Sequence, residues 1–250
     1  IKQNQDQGFV FVGWRYNIDS NGNSTDSDVY LVKTDSSGTK QWEKTYGGVD
    51  YDLIRSIDFT TAGGYILGGT TYSFGLGPYD LYLIKTDSIG NLMWAKTYGG
   101  SSADYGYSVR QTANGGYIIA GYTQSFGTAG DVYLICTDPN GDPLWTKVFG
   151  GSGADYGWSV RQTADGGFII TGSTSSFGAG SDDVYLIKTD GLGNLEWQKT
   201  YGGANYDSGI SIDFTNDGGY ILSGYTESFG QGIYIVKVDS IGNQQWQKVI

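Results

Sequence analysis

The five residues KTYGG stand at Lys44–Gly48, return at Lys96–Gly100, and appear again at Lys199–Gly203. A near copy, KVFGG, lies between them at Lys147–Gly151, and KVI occupies Lys248–Ile250. The four full copies are 51 or 52 residues apart. A fixed period of this length restricts the fold more than any single motif, because each repeat must be one supersecondary unit that buries its apolar face against its neighbours.

The unit from Gly99 to Phe149 contains four apolar runs: YSVRQT (Tyr107–Thr112), GYIIAGYT (Gly116–Thr123), DVYLICTD (Asp131–Asp138) and LWTKVF (Leu144–Phe149). Each is rich in β-branched and aromatic residues and bounded by Gly, Asn or Asp, which reads as a strand. Between the first and second strands lie TAGG, ANGG, ADGG and NDGG, starting at Thr61, Ala113, Ala164 and Asn216. Asn-Gly and Asp-Gly take positive φ easily, so these read as two-residue hairpin turns. Between the third and fourth strands lie DSSG, DSIG, DPNG, DGLG and DSIG, starting at Asp35, Asp87, Asp138, Asp190 and Asp239. Asp first and Gly fourth is type I turn chemistry.

Each unit is therefore a four-stranded antiparallel meander. Five second, third and fourth strands can be counted, but only four complete first strands. Four-stranded units of this length around an axis predict an all-β, five-bladed β-propeller. The blade repeats fall near 1–46, 47–98, 99–149, 150–201 and 202–250. A linear solenoid is the rival, but its repeats are shorter and lack internal hairpins.

The segment KTDSIGNLMWAKTYGG (Lys85–Gly100) resembles the tryptophan-docking repeat of quinoprotein-like propellers, in which an Asp…Gly…Trp pattern closes the blade. The matching tryptophans are Trp42, Trp94, Trp145, Trp197 and Trp246, and Asp87 to Gly90 is one residue tighter than that pattern. The whole unit is similar to secreted and surface propellers of bacteria and archaea. This resemblance spans nearly the whole chain. It implies a fold and no activity, and nothing in the residues marks a quinone pocket. The five tryptophans read as blade-to-blade packing. A buried Trp removes about 150–250 Å² from water, worth at most about 4–6 kcal/mol.

Composition narrows the function. The net charge is −11, a surface that repels nucleic acid and anionic lipid. No apolar run of about 18 residues offers a membrane span. The absence of a signal peptide before Ile1 reads as a mature piece or a fragment. An acidic chain rich in Gly, Tyr, Ser, Thr and Asn suits an extracellular or cell-surface location. With no histidine and one cysteine, there is no Ser-His-Asp triad and no ordinary zinc site. Cys136 stands where Lys33, Lys85, Lys188 and Lys237 stand in the other repeats, so it reads as drift and not as a nucleophile. A glycosidase needs two carboxylates in different environments, whereas repetition makes those here near-equivalent.

Binding is expected on the loops between second and third and between fourth and first strands, which share one face. Their repeated aromatics include Phe74, Phe126, Phe177 and Phe229 of the SFG motifs. Trp14 and Trp158 break the repeat, which marks them as ligand candidates. Asp52, Asp104, Asp155 and Asp207 begin the four complete first strands and are expected to ring the mouth of a central channel. One reading makes them a calcium site; the other makes each a structural acceptor for glycine N–H groups of its own loop. The loop Asn17–Asp28 is longer than its counterparts, and Asp19, Asn21 and Asn23 crowd oxygens into it. It departs from the EF-hand pattern, and a solvated turn is the alternative.

These features point to a non-catalytic binding or adhesion scaffold, with carbohydrate or surface proteins as partners and no cofactor beyond calcium. The alternative is a structural bead in a filament, surface layer or tandem array. Aligning Phe9 with Tyr220 sets Ile1 beside Ile212, halfway along a first strand. The seam this leaves is expected to be filled by a neighbouring domain or by the next copy of the chain.

Overall fold

Burial follows the repeat. Each second and third strand of the inner blades is buried along its whole length, because neighbouring blades cover both of its faces. The fourth strands alternate, since one of their faces meets solvent. In the computed structural model, which describes residues 1–250, this pattern builds five four-stranded antiparallel sheets and no helix. No helix is therefore long and apolar enough to cross a membrane.

Blade one holds β1 (Lys2–Gln3), β2 (Phe9–Ile18), β3 (Ser24–Thr34) and β4 (Lys40–Tyr46). Blade two holds β5 (Asp52–Phe59), β6 (Tyr65–Thr71), β7 (Asp80–Thr86) and β8 (Leu92–Tyr98). Blade three holds β9 (Asp104–Gln111), β10 (Tyr117–Thr123), β11 (Asp131–Thr137) and β12 (Pro143–Phe149). Blade four holds β13 (Asp155–Gln162), β14 (Phe168–Thr174), β15 (Asp183–Thr189) and β16 (Leu195–Tyr201). Blade five holds β17 (Asp207–Phe214), β18 (Tyr220–Thr226), β19 (Gly232–Val238) and β20 (Gln244–Val249). In every sheet the strands pair in chain order. The incomplete first strand of blade one is present in the expected register: Lys2 and Gln3 pair with Val10 and Phe9, as Asp213 and Phe214 pair with Ile221 and Tyr220.

The core is divided among the blade junctions. Four apolar clusters form, one each between blades one and two, two and three, three and four, and four and five. In the second of these, Ile66, Leu81, Leu83 and Tyr98 of blade two meet Val109, Tyr117, Ile119 and Tyr133 of blade three. Each junction is locked by the tryptophan of the earlier blade. Trp42, Trp94, Trp145 and Trp197 pack on Gly90, Gly141, Gly193 and Gly242 of the next blade, where an added Cβ would come within 2.7–2.8 Å of the indole ring. The same rings meet Tyr65, Tyr117, Phe168 and Tyr220, with centroids 5.7–6.5 Å apart. Beside them Tyr46, Tyr98 and Tyr201 donate O–H bonds of 2.5–2.6 Å to the carbonyls of Gly90, Gly141 and Gly242.

The turns between first and second strands differ from expectation. Asn114, Asp165 and Asp217 do not take positive φ; the glycine after each does, at Gly115, Gly166 and Gly218. The amide of Gly115 bonds the Thr112 carbonyl and the amide of Thr112 bonds the Gly116 carbonyl. This is the same four-residue turn that Asp138 to Gly141 forms between the third and fourth strands. One turn type, with glycine in the left-handed region at its last position, thus serves both ends of the hairpin ladder.

These turns make stability sensitive to acid. Backbone amides of Asn91, Asp142 and Asn243 hold Asp87, Asp138 and Asp239 below the usual carboxylate range. The Thr163 hydroxyl, with the Lys188 ammonium, lowers Asp165 to about 2. A depressed folded pKa contributes stability above the unfolded value of about 3.9, and that contribution is lost as pH falls through the folded value. Burial raises Asp52, Asp80 and Asp131, which works in the opposite direction but involves fewer groups. The melting temperature should therefore fall steadily between about pH 4 and pH 2. Melting curves recorded across that range test this, and a rise on acidification would contradict it.

Candidate functional site

The first strands line the axis, and each complete one carries a β-bulge at the same place. The register skips Arg55 in β5, Tyr107 in β9, Trp158 in β13 and Ile210 in β17. A bulge adds one residue to a strand and re-aims its side chain. Glycine precedes three of the four bulges. At Gly106 a Cβ would lie 2.5 Å from the Gly69 carbonyl and 2.8 Å from Leu81, so the inner strand could not approach blade two with any side chain there.

The bulged side chains form a graded surface. The Arg55 guanidinium lies over the Tyr107 ring at 5.5 Å. Tyr107 lies 4.3 Å from Trp158, and Trp158 stacks on Tyr156 at 5.4 Å with planes 8° apart. Tyr156 in turn stacks on Tyr122 at 4.6 Å. Tyr105, Tyr79 and Tyr72 extend the belt toward blade two, with centroid steps of 6.0, 5.4 and 4.2 Å. Arg55 and Ile210 are exposed, and Tyr107 and Trp158 are half-buried. Burial pushes the Tyr105 phenol up to about 12 and raises the Tyr107 phenol as well, so neither of these two rings is charged at neutral pH.

A charged layer lies further along the same strands. Asp58, Arg110, Arg161 and Asp213 occupy equivalent positions, and Lys2 of blade one bonds Asp58 at 2.9 Å. The Arg110 guanidinium donates to Ser56 Oγ at 3.1 Å and to the Val109 carbonyl at 2.6 Å. Burial and the nearby Arg161 charge lower its pKa. The inner strands are thus where the repeats diverge, while the junctions stay alike.

The candidate residues from sequence fall in different places. Asp52, Asp104, Asp155 and Asp207 do not ring a channel mouth; all four are fully buried, one in each of blades two to five. Each accepts an amide N–H, from Gly48, Gly100, Gly151 and Gly203, at 2.8–2.9 Å. Each also accepts a serine O–H, from Ser73, Ser125, Ser176 and Ser228, at 2.5–2.8 Å. They clamp the double-glycine corner to the SFG loop, and no three acidic or thiol side chains gather into a cluster that could hold a metal ion. Asn17–Asp28 is not a loop: Asn17 and Ile18 belong to β2 and Ser24–Asp28 to β3. Only Asp19–Asn23 turns, and there the Asp19 carboxylate accepts the amides of Asn21 (2.8 Å) and Asn23 (2.9 Å). One oxygen of Asp52, Asp155 and Asp207 takes these donors while the other is buried without a partner. No group of three acidic side chains forms around any of them to complete a cation's ligand set, so excess chelator should leave the melting temperature unchanged. A lower melting temperature in chelator, restored by calcium, would overturn that expectation.

The four SFG phenylalanines pack within their own blades. Phe74, Phe126, Phe177 and Phe229 lie 5.5–5.8 Å from Tyr82, Tyr133, Tyr185 and Tyr234. Phe74 also borders a shallow hollow of about 530 Å³ beside Lys44, Tyr46 and Asn91. Trp14 is 48% exposed and has no aromatic partner, whereas Trp158 sits in the belt. A polar hollow of about 690 Å³ opens between blades one and two on the face of the first-to-second turns; Gln3, Asp6, Lys33 and Gln111 border it. Cys136 is buried in β11, and burial raises its thiol to about 11, unsuited to nucleophilic attack. Sequence reasoning missed Arg55, Tyr156 and Arg110. The signal was available: these lie on strands where aligned repeats carry unlike residues.

No protein-family model matches the chain, and no curated protein matches its sequence. Its structure is similar to that of a Dyadobacter fermentans protein of unknown function: 13% identity, TM-score 0.56, with 94% of this chain and 75% of that one covered. A protein assigned as a gluconolactonase (10% identity, TM-score 0.44) aligns over 92% of this chain and 71% of its own. The apocarotenoid oxygenase of Synechocystis (10% identity, TM-score 0.47) aligns over 97% and 58%. At these identities the likeness is one of fold, a β-propeller.

Proposed function

We propose that the chain is a non-catalytic, extracellular or cell-surface binding scaffold whose ligand is carbohydrate held on the axial belt. The observation that carries this reading is the bulge series Arg55, Tyr107, Trp158 and Ile210. It places a cation, two half-buried aromatic rings and an apolar side chain at one level around the axis. Sugars offer apolar C–H faces that stack on such rings, and hydroxyls or carboxylates that an arginine can bond. The belt carries no charged acid–base pair, so it suits retention and not bond cleavage.

Tryptophan fluorescence titrated with neutral and acidic oligosaccharides tests this. Saturable change is expected in the parent chain and binding weakened about two- to twelvefold in Trp158→Ala, since one stacking contact is worth about 0.5–1.5 kcal/mol. An unchanged response in Trp158→Ala would refute the assignment. The structural alternative, a bead in a larger array, is favoured by a separate observation: blades one and five each leave a face uncovered.

A further inference from the structure

A closed ring of five blades requires five junctions, and this chain forms four. Strands of blades one to five pack successively, but no apolar cluster joins blade five to blade one. The outward face of blade five shows what is missing. Ile233 is 55% exposed and Trp246 is 42% exposed, although Leu81, Val132 and Val184 at the position of Ile233 are buried. Blade one presents the opposite face. Phe11 is 37% exposed where Leu67, Ile119 and Ile170 are buried, and Val32 is half-covered where Ile84, Ile135 and Ile187 are buried. Gly38 is the counterpart of Gly90, Gly141, Gly193 and Gly242. A Cβ there would meet nothing within 4 Å, because no tryptophan occupies its cradle.

The geometry points to a second copy of this chain as the occupant. We infer that blade five of one copy docks on blade one of the next, head to tail, with Trp246 over Gly38. Three observations support this occupant over an unrelated protein. The four internal junctions are a working template, and the two open faces carry its two halves. Trp246 and Lys248 repeat the knob of Trp94 and Lys96, and Gly38 with Thr39 repeats the receiving turn of Gly141 with Asp142, which Lys96 reaches. Ile250 stands where Tyr46, Tyr98 and Tyr201 supply a hydroxyl, but the junction of blades three and four forms with Phe149 at that place. The contact is heterologous, so it propagates into a ring of copies or a filament.

Sedimentation equilibrium of the full chain over a wide concentration range reads this directly. The parent should exceed its 27.0 kDa monomer mass as concentration rises. Trp246→Glu blocks only the blade-five face, and Phe11→Glu only the blade-one face. Each variant alone should stay monomeric, and an equimolar mixture should form a species of twice the monomer mass. Ile233→Glu and Val32→Glu mark the same two faces should either first variant fail to fold by circular dichroism. A parent that stays monomeric throughout overturns the inference. So does association of a single blocked variant, or a mixture that does not pair, since either would mean another surface is used.

Discussion

Trp94→Ala should lower the unfolding free energy by about 3 kcal/mol, while Trp246→Ala in the monomer should cost less than about 1 kcal/mol. The two residues hold the same place in the repeat, so propensity and sequence context predict equal losses. Packing predicts otherwise. Trp94 lies on Gly141 and meets Tyr117 edge-on at 5.9 Å, so truncation leaves a cavity in the junction of blades two and three. Trp246 lies on no following blade and is 42% exposed, so truncation removes little buried contact. The larger loss corresponds to roughly 6–12 °C in melting temperature for a domain of this size. Thermal unfolding of both variants at a concentration where the chain is monomeric decides it. Equal losses would mean that the tryptophans act within their own blades and not across junctions.

That contrast also marks what the sequence could disclose. The period, the five blades and the packing role of the tryptophans were all legible, because each rests on a pattern repeated along one chain. The short β1 was legible too, from the alignment of Phe9 with Tyr220. A seam was legible from the half-length first strand of blade one, but not that a whole junction, between blades five and one, stands open. Sequence repetition describes what a blade offers to a neighbour, but ring closure depends on the angle between blades, which accumulates through packing. The axial site was hidden for a related reason. Attention to repeated residues selects those that hold the fold, such as Asp104 and Phe126. Arg55, Tyr107, Trp158 and Ile210 differ in type; repeat alignment sets them at one place and marked Trp158, but that each bulges from its strand is a feature of backbone register that alignment does not show. The turn chemistry was half legible: Asn-Gly and Asp-Gly indicated a turn, but the fourth-position glycine and not the Asn or Asp took the left-handed conformation.

The buried aspartates should prove the most costly single residues to remove. Asp104→Ala is expected to destabilise the chain by about 4 kcal/mol, and Asp87→Ala by far less. Both carboxylates accept two or more hydrogen bonds, so the number of bonds does not separate them. Asp87 takes the amides of Ile89 at 3.0 Å and Asn91 at 2.8 Å, but at an exposed turn where water can replace it. Asp104 takes the Gly100 amide at 2.8 Å, the Ser125 hydroxyl at 2.6 Å and the Thr123 hydroxyl, with no exposed surface. Its loss leaves those donors unsatisfied in a buried site, each at about 1–3 kcal/mol, although some will relax toward one another. Asp104→Asn should recover part of the loss, because the amide oxygen can still accept from Gly100. The effect should extend to the axis, since Asp104 directly precedes Tyr105 of the aromatic belt and fixes the corner from which β9 departs. Denaturant unfolding of the three variants, with oligosaccharide titration of those that fold, separates the outcomes. If Asp104→Ala costs no more than Asp87→Ala, the buried clamp is not what holds the loop face to the blades.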